Sequence, residues 1–124
     1  MENPIRVLVA NGHRLMRELI LMTFADQADI EIADEVPDEA DILDSVEKTN
    51  PDFVVIAQDT LAERPAVCDT ILCRRPDVRI IAVAPHDDYS IYYWASPDIH
   101  SRRVEASEEA LLRILRTKPT RGVA

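Results

Sequence analysis

The side chains able to do chemistry are few and scattered. Three histidines, His13, His86 and His100, show no H-E-x-x-H spacing, and Cys68 and Cys73 stand five apart rather than as C-x-x-C. Neither pattern assembles a zinc site. Five residues along a helix turn two thiols to different faces, so both read as reduced packing residues. Glycine occurs only at Gly12 and Gly122. Phosphate-cradling loops of the G-x-G-x-x-G and G-x-x-x-x-G-K-[ST] kinds need closely spaced glycines, which excludes Rossmann dehydrogenases, P-loop NTPases and kinases. The titratable residues that follow apolar runs are His13, Asp59, His86 and Glu105. None has an evident nucleophile beside it. A Mg²⁺ site needs adjacent acids after one strand, and Asn11-Gly12 supplies none.

Composition narrows the classes further. The 124 residues suit one domain, 1–124, with a core over about 5–117 and a flexible tail at 118–124. No apolar run approaches the ~20 residues of a membrane helix. The N-terminus has no basic region followed by an apolar stretch, so a cytoplasmic, membrane-free protein is expected. A net charge of -9 argues against nucleic-acid binding by this domain. The charge is uneven: residues 26–47 hold ten acids and no base, while 102–121 hold six bases against three acids.

Two periods alternate along the chain. The short, nearly continuous apolar run at 5–10 suits a strand buried on both faces, 53–57 is the most strand-like segment, 79–84 reads as another buried strand, and 30–36, where Ile30, Ile32, Ala33 and Val36 alternate with acids, reads as a strand as well. Between them, 13–25, 38–48 and 65–75 read as helices. Leu15, Leu19 and Met22 are expected to face inward on the first, and Asp38 to cap the second. A last helix is expected over 107–117. The stretch 86–104 is the weak part: a helix near Tyr89–Ala95 and a short strand near His100–Val104 complete the alternation, though Pro97 interrupts and 100–103 is polar for a central strand. The sum is an α/β fold: a five-stranded parallel sheet with helices on both faces, its fourth helix and fifth strand degenerate. Ligands of such sheets sit at the carboxyl ends of the strands.

Five blocks in order, Ile5 to Glu18, Pro51 to Ile56, Pro76 to Ile81, His86-Asp87-Asp88 and Ala106 to Leu112, resemble the receiver domain of bacterial response regulators. The likeness covers about Ile5 to Arg116 and is nearest in flavour to receivers of LuxR-type regulators. It implies the flavodoxin-like (βα)5 fold and a signalling ancestry. It also implies a phosphorylation pocket, and the residues at that pocket depart from the family pattern. Asn11-Gly12 stands for the acidic Mg²⁺-binding pair, Ala57 for the phosphorylated Asp, Ala84 for the Thr or Ser of the fourth strand, and Val104 for the Lys of the fifth. Ser101 aligns with the aromatic switch residue.

A methyl group cannot form an acyl phosphate, and without paired carboxylates there is no oxygen cage for Mg²⁺. The resemblance therefore implies a pseudo-receiver: not an enzyme, with no cofactor and no Mg²⁺. Its expected role is a phosphorylation-independent protein–protein interaction module with a protein partner or in a homodimer. The alternative is a small-molecule sensor whose ligand fills the vacated pocket. Asp59, two residues past Ala57, reads as an ordinary loop acid. Tyr92, Tyr93 and Trp94, flanked by Arg102, Arg103 and Arg113, form the expected interface, with the acidic block of a second copy a candidate rim.

Overall fold

The computed structural model describes residues 4–10, 14–57, 64–83, 89–95, 98–105 and 107–116, with backbone only at Glu39, Ala57 and Tyr89. Among these residues six strands form one sheet: β1 (Ile5–Ala10), β2 (Ile30–Glu35), β3 (Phe53–Ala57), β4 (Arg79–Val83), β5 (Tyr89–Ala95) and β6 (Ile99–Glu105). Among the described residues four helices accompany them: α1 (Arg14–Ala25), α2 (Ile42–Thr49), α3 (Ala66–Arg74) and α4 (Glu108–Arg116). The strand order is β2-β1-β3-β4-β5-β6. The first four strands run parallel, β5 is antiparallel to β4, and β6 is antiparallel to β5. Among the described residues no helix is long and apolar enough to cross a membrane.

The expected helix near Tyr89–Ala95 is thus a strand, and the sheet is six-stranded and mixed rather than five-stranded and parallel. The physical reason is local. Ile91, Tyr92, Tyr93 and Trp94 are β-branched or aromatic and favour a pleated, half-buried surface. Three residues, including Pro97 and Asp98, then separate Ala95 from its partner Ile99, a length and composition suited to a hairpin.

Two cores flank the sheet. On one face Leu8, Val54, Ile56, Ile80, Ala82 and Tyr93 pack under α2 and α3 through Val46, Cys68 and Ile71. On the other, Val7, Val9, Phe53, Val55 and Ile81 pack under α1 and α4 through Ile20, Phe24, Ile114 and Leu115. Strands buried on both sides explain the continuous apolar runs of β1, β3 and β4.

Helix ends follow ordinary stop and start chemistry. The Asp38 carboxylate accepts from the Ala40 amide at 3.1 Å and caps a short 3-10 turn, Glu39–Asp41, rather than α2 itself. Asn50 ends α2 in the left-handed region at φ 50, its amide donating to the Val46 carbonyl at 2.9 Å. Ser107 caps α4, accepting from the Ala110 amide at 3.1 Å.

The inward face of α1 differs from the expected one. Ile20 and Phe24 are buried, with Met16 and Leu21 packed beside them. Leu15, Leu19 and Met22 are 78%, 57% and 68% exposed. Helix α1 is apolar on two faces at helical spacing, so periodicity alone cannot choose which one the sheet covers. Cys68 is buried and Cys73 exposed, both free, as two faces of α3 require.

Candidate functional site

The carboxyl ends of β1, β3 and β4 lie side by side. Ala10 pairs with Ile56, and Ala57, the last residue of β3, pairs with Val83, the last of β4. Ala10, Ile56 and Val83 are buried. The described rim of this edge is therefore built from aliphatic side chains up to its last paired residues. Asn11, Gly12, His13, Asp59, Ala84 and His86 fall outside the described residues.

Val104 is displaced from this edge by the hairpin. It lies on β6 opposite Ser90 of β5. With β5 inserted, β6 stands two strand spacings from β4, roughly 10 Å rather than 5 Å. The residue occupying the place next to β4 is Ser90. It is fully buried, and its hydroxyl has no hydrogen-bond partner among the described residues.

The aromatic cluster of β5 is split by strand alternation. Tyr92 and Trp94 share the α1/α4 face of the sheet, and Tyr93 points to the other. Tyr93 is 3% exposed and belongs to the core under α2 and α3. The expectation of one exposed helical cluster is corrected accordingly: Tyr92 and Trp94 are half-buried, and Tyr93 is not a surface residue. The half-buried pair extends into a row. The Tyr92 ring lies 6.3 Å from Phe53 and 5.2 Å from Trp94, and Trp94 stacks on His100 at 5.3 Å. The Arg102 guanidinium sits 5.8 Å from the Tyr92 ring, and that of Arg79 sits 4.5 Å from Phe53. These contacts follow from register, since Tyr92 faces Arg102 and Trp94 faces His100 across the hairpin.

The three expected basic residues do not form one patch. Arg102 joins Tyr92, while Arg103 stands opposite Ile91 on the other face. Arg113 belongs to α4, beside Glu109, Leu112 and Arg116 in a shallow surface hollow.

Sequence reasoning missed three features. One is the exposed row Leu15, Leu19 and Met22, whose signal was the doubled apolar face of α1. Another is Arg79, whose Nε and Nη1 are buried without a hydrogen-bond partner among the described residues. The third is a groove of about 550 Å³ between α3 and the hairpin end, lined by Arg64, Asp69, Leu72, Cys73, Asp98 and Ile99 among others. None of its lining residues belongs to the carboxyl ends of β1, β3 and β4.

Perturbed ionisable groups among the described residues also lie off the carboxyl ends of β1, β3 and β4. The Arg116 guanidinium donates to Asp29 at 2.8 and 2.9 Å, holding that carboxyl below its ordinary value of 3.8 and raising Arg116 in turn. The Ser45 hydroxyl donates to Asp34 and lowers it likewise. Asp69 accepts from Arg64 and raises it. Among the described residues no group of three or more His, Cys, Asp or Glu is placed to hold a metal ion.

No family model matches the chain. Transcriptional regulatory protein DegU of Brevibacillus brevis is 30% identical over 91 residues, covering 72% of this chain and 38% of that protein. The chain thus spans well under half the length of this curated relative. The signal receiver domain of the putative response regulator NarL from Mycobacterium tuberculosis superposes with a TM-score of 0.60 at 21% identity, over 69% of this chain and 70% of the other. The isolated REC domain of RcsB from Salmonella enterica serovar Typhimurium gives 0.58 at 14% identity, over 69% and 66%. At such identities the two structures establish likeness of fold.

Proposed function

This chain belongs to the receiver-domain family of response regulators, related to the DegU, NarL and RcsB receivers, and from that premise we propose a phosphorylation-independent receiver that acts through protein–protein contacts. A receiver is a signalling module of two-component systems rather than a catalyst. The observation that carries the proposal is the Ala57–Val83 pair at the joined ends of β3 and β4. The position where the resemblance puts the phosphoacceptor carries a methyl group, which has no oxygen to form an acyl phosphate. The inserted hairpin supports the same reading. It moves Val104 two strands from β4, so even a Lys there would start farther from the end of β3.

The contact half of the proposal draws on α1. Leu15, Leu19 and Met22 recur at i, i+4 and i+7 and are more than half exposed. A contiguous apolar row on the surface of a domain marks a site of protein contact.

Incubation with acetyl phosphate and Mg²⁺ followed by intact-mass measurement tests the proposal. The mass is expected to stay unchanged. A gain of one phosphoryl group, mapped by peptide sequencing to Asp59 or to any other acid, overturns it.

A further inference from the structure

The two edges of the sheet carry opposite charge. β2 is one edge and β6 the other. β2 bears Glu31, Asp34 and Glu35, and β6 bears His100, Arg102 and Arg103, with Glu105 as its only acid. β6 is largely exposed and β2 is exposed at Glu31, Asp34 and Glu35, and among the described residues neither has a strand on its outer side. An edge strand offers a row of backbone donors and acceptors to any chain that can pair with it.

We infer that a second copy of this chain adds its acidic strand β2 to the basic strand β6, head to tail, so that the sheet runs on from one molecule into the next. On the reading of the chain as a contact module, this names both its partner and a surface distinct from α1. Direction is the first support. β2 is parallel to β1, and two antiparallel steps bring β6 back parallel to β4, so β2 and β6 point the same way. A second molecule in the same orientation therefore presents β2 in parallel register to β6, with its helices on matching faces.

Charge is matched face by face. Arg102 lies on the α1/α4 face with Val104, and Arg103 on the α2/α3 face with Ile99. On β2, a register shift between Val7 and Leu8 turns Asp34 to the α2 side, where it accepts from Ser45. It turns Glu35 to the α1 side, where Arg17 donates to it at 3.0 Å. Glu31 shares the face of Asp34. Thus Arg102 meets the face of Glu35, and Arg103 meets that of Glu31 and Asp34. The Glu31 and Glu35 side chains are about half exposed within their existing ion pairs, which leaves each carboxylate open to a second cation.

The same charges disfavour symmetric pairing. Antiparallel β6 against β6 sets the arginines against each other, and β2 against β2 does the same with acids. Like charges directly opposite destabilise a sheet. A heterologous contact remains, and such contacts build rings or open chains of more than two copies.

The test is sedimentation velocity over a concentration series. For the wild type, the mean mass is expected to rise past two copies. Arg102→Glu with Arg103→Glu disables β6, and Glu31→Lys with Glu35→Lys disables β2. Each variant, shown folded by its urea transition, is expected to associate roughly ten-fold more weakly or worse. If the lysine variant fails to fold, Glu31→Gln with Glu35→Gln replaces it. In an equimolar mixture of the arginine and lysine variants the unaltered edges complement each other and the two charge-reversed edges do so as well, so association past two copies is expected to return; with the glutamine variant only the unaltered edges pair, and a two-chain species is expected. A monomeric wild type overturns the inference, as does a wild type that stops at two copies or a mixture that stays monomeric. Association lost in Leu15→Ser with Leu19→Ser but kept in the arginine variant overturns the edge contact while leaving the contact-module reading intact.

Discussion

Alanine substitution at three consecutive residues, Tyr92, Tyr93 and Trp94, tests whether β5 is a strand with one face in each core. Tyr93 is 3% exposed under α2 and α3, whereas its neighbours are half-buried on the opposite face. An aromatic side chain buries ~150–250 Å², which at ~25 cal/mol per Å² is worth ~4–6 kcal/mol. That is an upper figure, because the denatured chain already buries part of the surface. Truncation of a buried aromatic to alanine costs ~3–5 kcal/mol, so ~3–4 kcal/mol is expected for Tyr93→Ala. A domain of this size holds roughly 6–19 kcal/mol of stability, so the variant still folds but marginally. Tyr92→Ala and Trp94→Ala each lose only part of such a contact, ~1–2 kcal/mol. Urea denaturation followed by circular dichroism reads the difference. With a slope of ~1–3 kcal/mol per M, the Tyr93→Ala midpoint falls ~1–4 M below that of the wild type. The order matters more than the sizes. Strand alternation makes the middle residue the costly one, because it turns both neighbours to the opposite face of the sheet. A Tyr93→Ala variant no less stable than either neighbour refutes the strand.

Ser90 and Arg116 offer two further tests. The buried Ser90 hydroxyl has no partner among the described residues, so Ser90→Ala is expected to raise stability by ~1–2 kcal/mol; a loss in urea denaturation would mean that the hydroxyl is bonded. Arg116 holds Asp29 below its ordinary value, so the pair stabilises the fold above pH 3.8 and stops doing so as pH falls through the lowered value. The stability difference between wild type and Arg116→Gln should therefore shrink as the pH drops below 3.8, and an unchanged difference down to full protonation contradicts the assignment.

Much of the fold was legible where a segment's environment is uniform. β1, β3 and β4 are buried on both faces, and that condition writes itself into sequence as an unbroken apolar run. The helices over 14–25, 42–49, 66–74 and 108–116 were legible from apolar spacing and from the breakers Pro37, Pro51 and Pro76. The candidate site was legible as a set of aligned residue types, above all the Ala57 that ends β3.

What the chain order alone determined is its alternation of strand and helix up to Val83 and the aliphatic character of the strand ends. Both depend on residues close in sequence. Only the tertiary structure decided which of the two apolar faces of α1 meets the sheet, because Met16, Ile20 and Phe24 compete with Leu15, Leu19 and Met22 on equal periodicity, and contact with β1 settles it. Tertiary structure likewise decided that Tyr89–Ala95 pairs antiparallel with β4. Short aromatic runs are compatible with either period, and what selects the strand is an open sheet edge at β4, with Ile80 and Ala82 beneath one face and Phe53 and Ile81 beneath the other. That choice sends Tyr93 inward, leaves Tyr92 and Trp94 beside Arg102, and makes the polar strand 99–105 an edge, where its charges stay in water.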